Sequence, residues 1–444
     1  MTLVTRRLIT FFMVNAVALN LVLLLLFATS WKETVLYESF IFVHRTGMTA
    51  LQREIQYQGM DSWRPMIWAD DYLQSGGKEL LYDKIFFESN IKFQYPPSSL
   101  LIVRALKFLT GQKDMIYLVR ILGQISILFV LMTGLFAWLI FRDVRIEPGA
   151  SKMDRLLQAA LILIFTITFY PLVKGFRLGQ IQTWITAIFA ILFFFYGKKK
   201  EGISGFLSGI LCLLKPQYGL FLIWALLRKK FRFAAAFGVA IAGGLGLSLM
   251  LFGLANHWNY LKVLQFLGKH GESYYANQSA NGLLNRLFFT GDILNFQKQL
   301  FPAFDPRVYA GTLISSFLLI ALALFLPLRK RNAGNLMDFS LVAVTSILAS
   351  PVAWDHHYGI LLPIFAFLLP WLIGNRSNVW TVIATISYVL ISNEIAAVNK
   401  FAYAGSGLNV LLSYQFFGGI LFLACLYGCI EKQIKEQNTA EKVM

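Results

Sequence analysis

Charge is scarce in this sequence, and negative charge is scarcest. Only 14% of the 444 residues are Asp, Glu, Lys or Arg, and Asp and Glu together number 23, against 57% hydrophobic residues. A chain of that length cannot cover a soluble surface with so little polarity, which excludes a water-soluble globular protein. Cysteine is nearly absent: Cys212, Cys425 and Cys429 all fall in apolar runs, with no CxxC pair and no histidine at ligand spacing. That excludes a disulfide framework and a thiolate metal site, and no cofactor or metal is expected. The net charge of +17 sits in short clusters between apolar runs rather than along one amphipathic face. It therefore speaks for membrane topology and against a nucleic-acid partner.

What the chain has in abundance is apolar sequence. Runs near 8–29, 117–141, 156–173, 180–197, 203–214, 217–227, 233–253, 309–328, 336–353, 358–373, 379–395 and 408–430 make about twelve transmembrane segments. The class is an all-α polytopic membrane protein, read as a single integral domain over 1–444. The first run has the flavour of a signal peptide, but its apolar core of about 20 residues exceeds the usual length, so it reads as a retained span. Placing 1–7, 142–155, 198–201, 228–232, 329–335, 374–378 and 431–444 in the cytoplasm gathers 20 Lys and Arg there against 7 Asp and Glu. This is the positive-inside signature, and it puts both termini in the cytoplasm.

Two long polar intervals, 31–115 and 254–308, then face outward. Both are rich in Trp, Tyr and Phe, as interfacial helices are. The first holds ten of the 23 acidic residues. The expectation is a multi-pass protein of the cytoplasmic (inner) membrane whose active face looks toward the periplasm or exterior.

Residues 203–214 and 217–227 read as two short arms of a hairpin. A single helix through both would put the Lys198–Lys200 and Arg228–Lys230 clusters on opposite sides. It would also strand Lys215 near mid-bilayer, at about 2.5 to 3.5 kcal/mol on insertion scales. Pro216 biases Lys215 away from helical dihedrals and places the break there. Lys215 then lies at a tip aimed outward, where it either snorkels to a headgroup or marks a site.

Four outward constellations result. The opening loop offers Asp61, Asp70, Asp71 and the FQYPPSSL stretch with Tyr95. The segment KGFRLGQIQ offers Lys174, Arg177 and Gln180. Lys215 and Pro216 are the third, and SPVAWDHHYG with Asp355, His356 and His357 is the fourth. Adjacent histidines on a helix point about 100° apart, so one of the two is expected to face a given ligand.

The set GGKELLYD, FQYPPSSLL, LGQIQ, GISGFLSGILCLLKPQYGLFLIWALLRKKFR, NQSANGLLNRL and SPVAWDHHYGILLP, running from about 61 to 370, resembles glycosyltransferase family 87, whose best-known members are polyprenol-phosphate-mannose-dependent α-mannosyltransferases. The resemblance implies a C-type glycosyltransferase fold, a lipid-phosphate sugar donor, inversion at the anomeric carbon and an acidic base in the first outward loop. The chain is thus expected to be a hexosyltransferase of the cell-envelope glycan kind. It would move mannose from a polyprenyl-phosphate donor to a lipid-linked or glycan acceptor, among membrane lipids. An arabinofuranose-type transferase and a lipid-linked sugar transporter or flippase stand as alternatives.

Such a transfer needs a base for the acceptor hydroxyl and cations for the leaving phosphate. Asp61 is the preferred base, with Asp70 and Asp71 as competitors. Lys215, Arg177, Lys174 and one of His356 and His357 are the expected phosphate ligands, with Asp355 orienting a histidine. Tyr95, Gln180, Asn277, Gln278, Ser279 and Arg286 are the expected sugar or acceptor contacts.

Overall fold

The computed structural model describes residues 2–28, 60–144, 151–296, 301–329, 333–374, 378–395 and 403–443. The first third of the opening polar interval, 31–59, and residues 145–150, 330–332 and 375–377 lie outside the described residues. Among the described residues the structure is helical, and the β-type pairing is an isolated bridge between Asn277 and Trp354.

In chain order the helices are α1 (Leu3–Ala28), α2 (Trp63–Gln74), α3 (Leu101–Thr110), α4 (Met115–Val144), α5 (Lys152–Thr168), α6 (Tyr170–Arg177), α7 (Gln182–Gly197), α8 (Glu201–Leu214), α9 (Leu220–Leu227), α10 (Phe231–Phe252), α11 (Leu254–His270), α12 (Ala280–Leu287), α13 (Pro306–Phe325), α14 (Leu336–Leu348), α15 (Leu361–Gly374), α16 (Asn378–Ser392) and α17 (Tyr414–Val443). Among them, 5 described spans are long and apolar enough to cross a membrane, or 6 if the pair α5–α6 counts as one bent span. Shorter apolar helices (α7, α8, α14 and α16) fill the space between. The protein is therefore an all-α polytopic membrane protein.

The apolar run 156–173 is not one straight segment. Phe169 adopts an extended conformation and Pro171 opens the next helix, so α5 and α6 meet at 53°. Proline removes an amide donor and fixes its own φ, which is why the chain restarts there instead of continuing. The bend aims Lys174, on α6, into the interior of the protein.

The hairpin around Lys215 is present. Lys215 is extended (φ −143°, ψ 110°), Pro216 opens a 3₁₀ turn, and α9 returns. A tight turn then sends α10 back up beside α8. Gly205 lies against the Phe233 carbonyl, Gly209 against Phe237 and Ala240, and Gly244 against Leu213, so α8 and α10 run parallel. A Cβ on Gly209 would sit 2.7 Å from that of Ala240, the small-residue packing by which membrane helices approach closely. At about 1.5 Å per residue the 14-residue α8 is roughly 21 Å long, short of a full span.

The basic loops gather at one end of the bundle. Thr2 and Thr5 bond Asp154, Lys198 pairs with Asp143 at 2.7 Å, and Arg7 reaches the Ile373 carbonyl. The tightest link there is Arg228, which holds Asp338 by two bonds of 2.7 and 3.0 Å while Trp224 and the Gly334 amide bond the same carboxylate. Arg228 is thus a buried structural residue and not a solvated charge of its loop. The two long polar intervals meet at the opposite end, where Asn259 accepts from the Tyr82 and Asp83 amides and Lys92 pairs with Glu272.

Candidate active site

That second end contains a cavity of 1350 Å³, walled by the start of α2, the 89–96 stretch, the N-terminal end of α4, α6, the Lys215 tip, α11 and the 349–357 segment.

Asp61 stands just before α2 on one wall. Its amide donates to the Leu178 carbonyl and the Ser62 amide to that of Gly179. Gly179 has φ +64°, a conformation an L side chain rarely adopts, so the turn after α6 suits glycine. The Ser62 hydroxyl donates to Gln180 Oε1 (2.7 Å), accepts from the Ile181 amide and lies 2.8 Å from Tyr95 Oη, which itself donates to Gln180 Oε1 at 3.1 Å. Two hydroxyls therefore occupy the Gln180 oxygen and turn its NH2 toward Asp61 Oδ2, 3.4 Å away. Burial pushes the Tyr95 phenol above its ordinary value, so it stays a donor. The Asp61 carboxylate is exposed to the cavity.

Asp70 and Asp71 lie elsewhere. Asp70 is fully buried between Arg104 (2.7 Å) and Lys107 (2.9 Å), and Asp71 pairs with the same lysine. Neither lines the cavity. They staple α2 to α3.

Also lining the cavity, Lys215 donates from Nζ to Gln182 Oε1 at 2.8 Å and lies 2.7 Å from His357 Nε2. An ammonium has only donors, so Nε2 is the acceptor and the ring proton sits on Nδ1, which has no protein partner. His356 is held the other way round: Nδ1 faces Asp355 Oδ1 at 3.2 Å and Nε2 is unpartnered. Asp355 is fixed by Tyr170 and by the His356 amide, with Lys174 4.0 Å away and also 3.7 Å from Glu394. One ring offers a donor and the other a lone pair. These residues form a 3₁₀ turn (Asp355–Ile360), and the two rings, perpendicular and 4.9 Å apart, both line the cavity. Both histidines thus line the cavity, in a 3₁₀ turn instead of the α-helix assumed for the 100° separation.

Of the remaining expected site residues, Tyr95, Gln180 and Lys174 line the cavity and Arg177 does not. Asn277, Gln278, Ser279 and Arg286 also do not. Their polar atoms are engaged internally: Asn277 accepts from the Ala353 amide, Gln278 donates to Tyr275 and Leu412, Ser279 to Pro351, and Arg286 to Ser413 and the Asn277 carbonyl. They clamp the segment that carries Asp355 to the rest of the protein. A buried polar cluster and a ligand-reading one look alike in sequence; only the direction of the side chains separates them.

The cavity also has lining residues that the sequence reading passed over: Arg64, Lys92, Arg120, Tyr274, Phe296 and Trp354. Arg120 carried a signal, being a lone cation inside an apolar run. Among the described residues no cluster of three or more His, Cys, Asp or Glu is placed to hold a metal.

An all-helical membrane protein whose cavity gathers the exposed Asp61 carboxylate, lysines and two histidines has the groups of an integral membrane enzyme. The match to the model of glycosyltransferase family 87 over residues 93–351 makes the assignment particular: the chain belongs to that family. The Asp355–His357 turn falls just after the matched stretch, and Asp61 lies about thirty residues before it. The chain is also 27% identical, over 70% of its own length and 69% of the relative's, to a polyprenol-phosphate-mannose-dependent alpha-(1-2)-phosphatidylinositol mannoside mannosyltransferase of Mycobacterium tuberculosis (strain ATCC 25618 / H37Rv).

Proposed function

We propose that this glycosyltransferase moves a mannosyl residue from a polyprenyl-phosphate donor to a hydroxyl of a lipid-linked or glycan acceptor, with inversion, on the outward side of the cytoplasmic membrane. The observation that carries the reading is that Asp61, Lys215 and His357 line one cavity, with Lys215 and His357 in contact. Family membership and the donor named for the relative support it. Asp61 takes the proton of the acceptor hydroxyl as its oxygen bonds to the anomeric carbon. The bond from that carbon to the phosphate oxygen breaks, its electron pair stays with the phosphate, and the leaving polyprenyl phosphate gains a negative charge. Lys215 and the Nδ1–H of His357 meet that charge, and Lys174 and His356 lie on the same wall. Gln180 and Tyr95 hold Asp61 and the acceptor in register.

The side follows from charge. The end that carries the basic loops and both termini lies in the cytoplasm, and the cavity end lies outside. Counting the short arms on either side of Lys215, about twelve segments enter the bilayer.

The test is transfer by the purified protein in liposomes from polyprenyl-phosphate mannose, with polyprenyl-phosphate arabinose as the competitor donor and no nucleotide sugar present. Expected is a mannosylated product whose anomeric configuration is opposite to the donor's. Retention of configuration, or turnover only with the arabinosyl donor, overturns the proposal.

A further inference from the structure

Three aromatic side chains line the cavity beside its charged groups and take no part in the proton or phosphate chemistry: Tyr274, Phe296 and Trp354. Their ring centroids form one cluster, 5.6 Å from Tyr274 to Phe296, 5.6 Å from Phe296 to Trp354 and 6.4 Å from Tyr274 to Trp354. The planes are inclined to one another by 52° to 83°, so the rings make a corner and do not hide their faces in a stack. Phe296 is exposed and the other two are half-buried. Large apolar faces left open toward a polar cavity are the kind of surface a ligand covers.

The corner is held in place from behind. The Asn277–Trp354 bridge, with the Gln278 amide on the Ala353 carbonyl (2.7 Å) and the Asp355 amide on that of Ala276 (3.0 Å), locks together the two segments that carry Tyr274 and Trp354. Asp292 Oδ1 accepts from the Leu294 and Asn295 amides and so shapes the turn before Phe296. A small apolar core of its own, Tyr275, Ala276, Ile293, Leu412 and Tyr414, packs against Tyr274 and Trp354. Trp354 also caps the 3₁₀ turn of the two histidines, and the His357 amide donates to its carbonyl at 2.8 Å. The corner therefore lies one turn from the histidine that meets the leaving phosphate. Lys92 stands 4.5 Å from the Phe296 centroid, which puts an ammonium at one edge.

We propose that Trp354, with Phe296 and Tyr274, forms the subsite that reads the ring of the transferred sugar and selects a pyranose over a furanose. The proposal rests on the reading of the chain as a lipid-phosphate-dependent transferase. The face of an aromatic ring is negative and attracts the slightly positive C–H bonds of a sugar. A pyranose chair lines up several axial C–H bonds on one face and covers an indole, whereas a furanose ring is smaller and puckered, brings fewer of them into contact and buries less area. The anomeric carbon is one oxygen away from phosphorus, so a phosphate at His357 puts the sugar within reach of the neighbouring turn. The ring hydroxyls are left facing the cavity, with Lys92 at the edge as a donor.

The test is binding, by the protein in phosphatidylcholine nanodiscs, of three probes: polyprenyl phosphate, polyprenyl-phosphate mannose and polyprenyl-phosphate arabinofuranose. Wild type should prefer the mannosyl probe to the arabinofuranosyl one. Trp354→Ala should lose about tenfold in affinity for the mannosyl probe and far less for the other two, so that the preference narrows. Trp354→Phe should keep most of the affinity, because a ring face remains. Phe296→Ala, on the exposed side of the corner and away from the paired segments, should give the same pattern with a smaller loss, and it decides the matter if Trp354→Ala does not fold. Equal loss for bare polyprenyl phosphate would reduce Trp354 to a support of the His357 turn. Equal loss for both sugars, or a wild type without preference, would refute ring selection. Unchanged mannosyl affinity in both variants would overturn the subsite altogether. A wild type that binds the mannosyl probe through Trp354 but transfers no sugar in the liposome assay defeats the proposed function and leaves this subsite standing.

Discussion

Lys215 Nζ lies 2.7 Å from Nε2 of His357, at the tip of two short helical arms. The contact fixes the histidine tautomer and leaves a buried Nδ1–H without a partner among the described residues. Lys215→Ala removes both the charge and the reason for that tautomer. Donor affinity should fall by about 1.5 to 3 kcal/mol, the range for a charge-assisted contact in a dry site. Titration with polyprenyl phosphate measures it, and full affinity in a well-expressed variant would return Lys215 to snorkelling.

Asp61→Asn keeps size and the Gln180 contact but removes the proton acceptor. Transfer should fall 10² to 10⁴-fold, the range for general-base loss, with donor binding kept. Single-turnover assays separate the two, and an active Asp61→Asn would sink the assignment.

The neighbouring carboxylates should behave differently from Asp61 and from each other. Asp70→Asn leaves Arg104 and Lys107 facing a neutral amide in a buried site, which destabilises by about 3 to 5 kcal/mol. Its loss of activity should track loss of thermal stability. Asp71, half-exposed, should tolerate the same change within about 1 kcal/mol. A stable, inactive Asp70→Asn would reinstate it as a candidate base.

At the other end of the bundle, Asp338→Ala should cost about 3 to 5 kcal/mol, because Arg228 is buried and Asp338 is its carboxylate partner among the described residues. The expected readout is a lower melting temperature in detergent, with donor affinity per folded molecule unchanged. An unaltered melting temperature would show that the pair adds nothing to stability.

For topology, cysteines at the exposed Ser75 and Ser89, in a background lacking Cys212, should react with an impermeant thiol reagent in intact cells, and one at the exposed Lys152 should not. Ser62 and Ser273 are unsuitable for this purpose, being buried. Labelling at Lys152 would reverse the membrane orientation.

What the sequence determined by itself is what local chemistry decides. Apolar length sets the membrane class, the charge of short loops sorts them onto two sides, and Pro216 with Lys215 dictates a break that the dihedrals bear out. The six motifs pointed to the right family. The tertiary structure alone decided which polar side chains meet. Asp61, Asp70 and Asp71 lie within eleven residues, but whether a carboxylate faces the cavity or a lysine depends on α3, more than thirty residues further on. The polar run 277–286 reads like a sugar site, and its bonds go instead to Ala353, Leu412 and Ser413, partners no spacing rule could name. The two histidines line one cavity from a 3₁₀ turn that no helical spacing rule describes. Arg120 counts in sequence as one blemish in a span; only the tertiary packing places it on the cavity. Propensity and hydropathy act along the chain, whereas the direction of a side chain is set by contacts between distant segments, and that direction separates a binding group from a structural one.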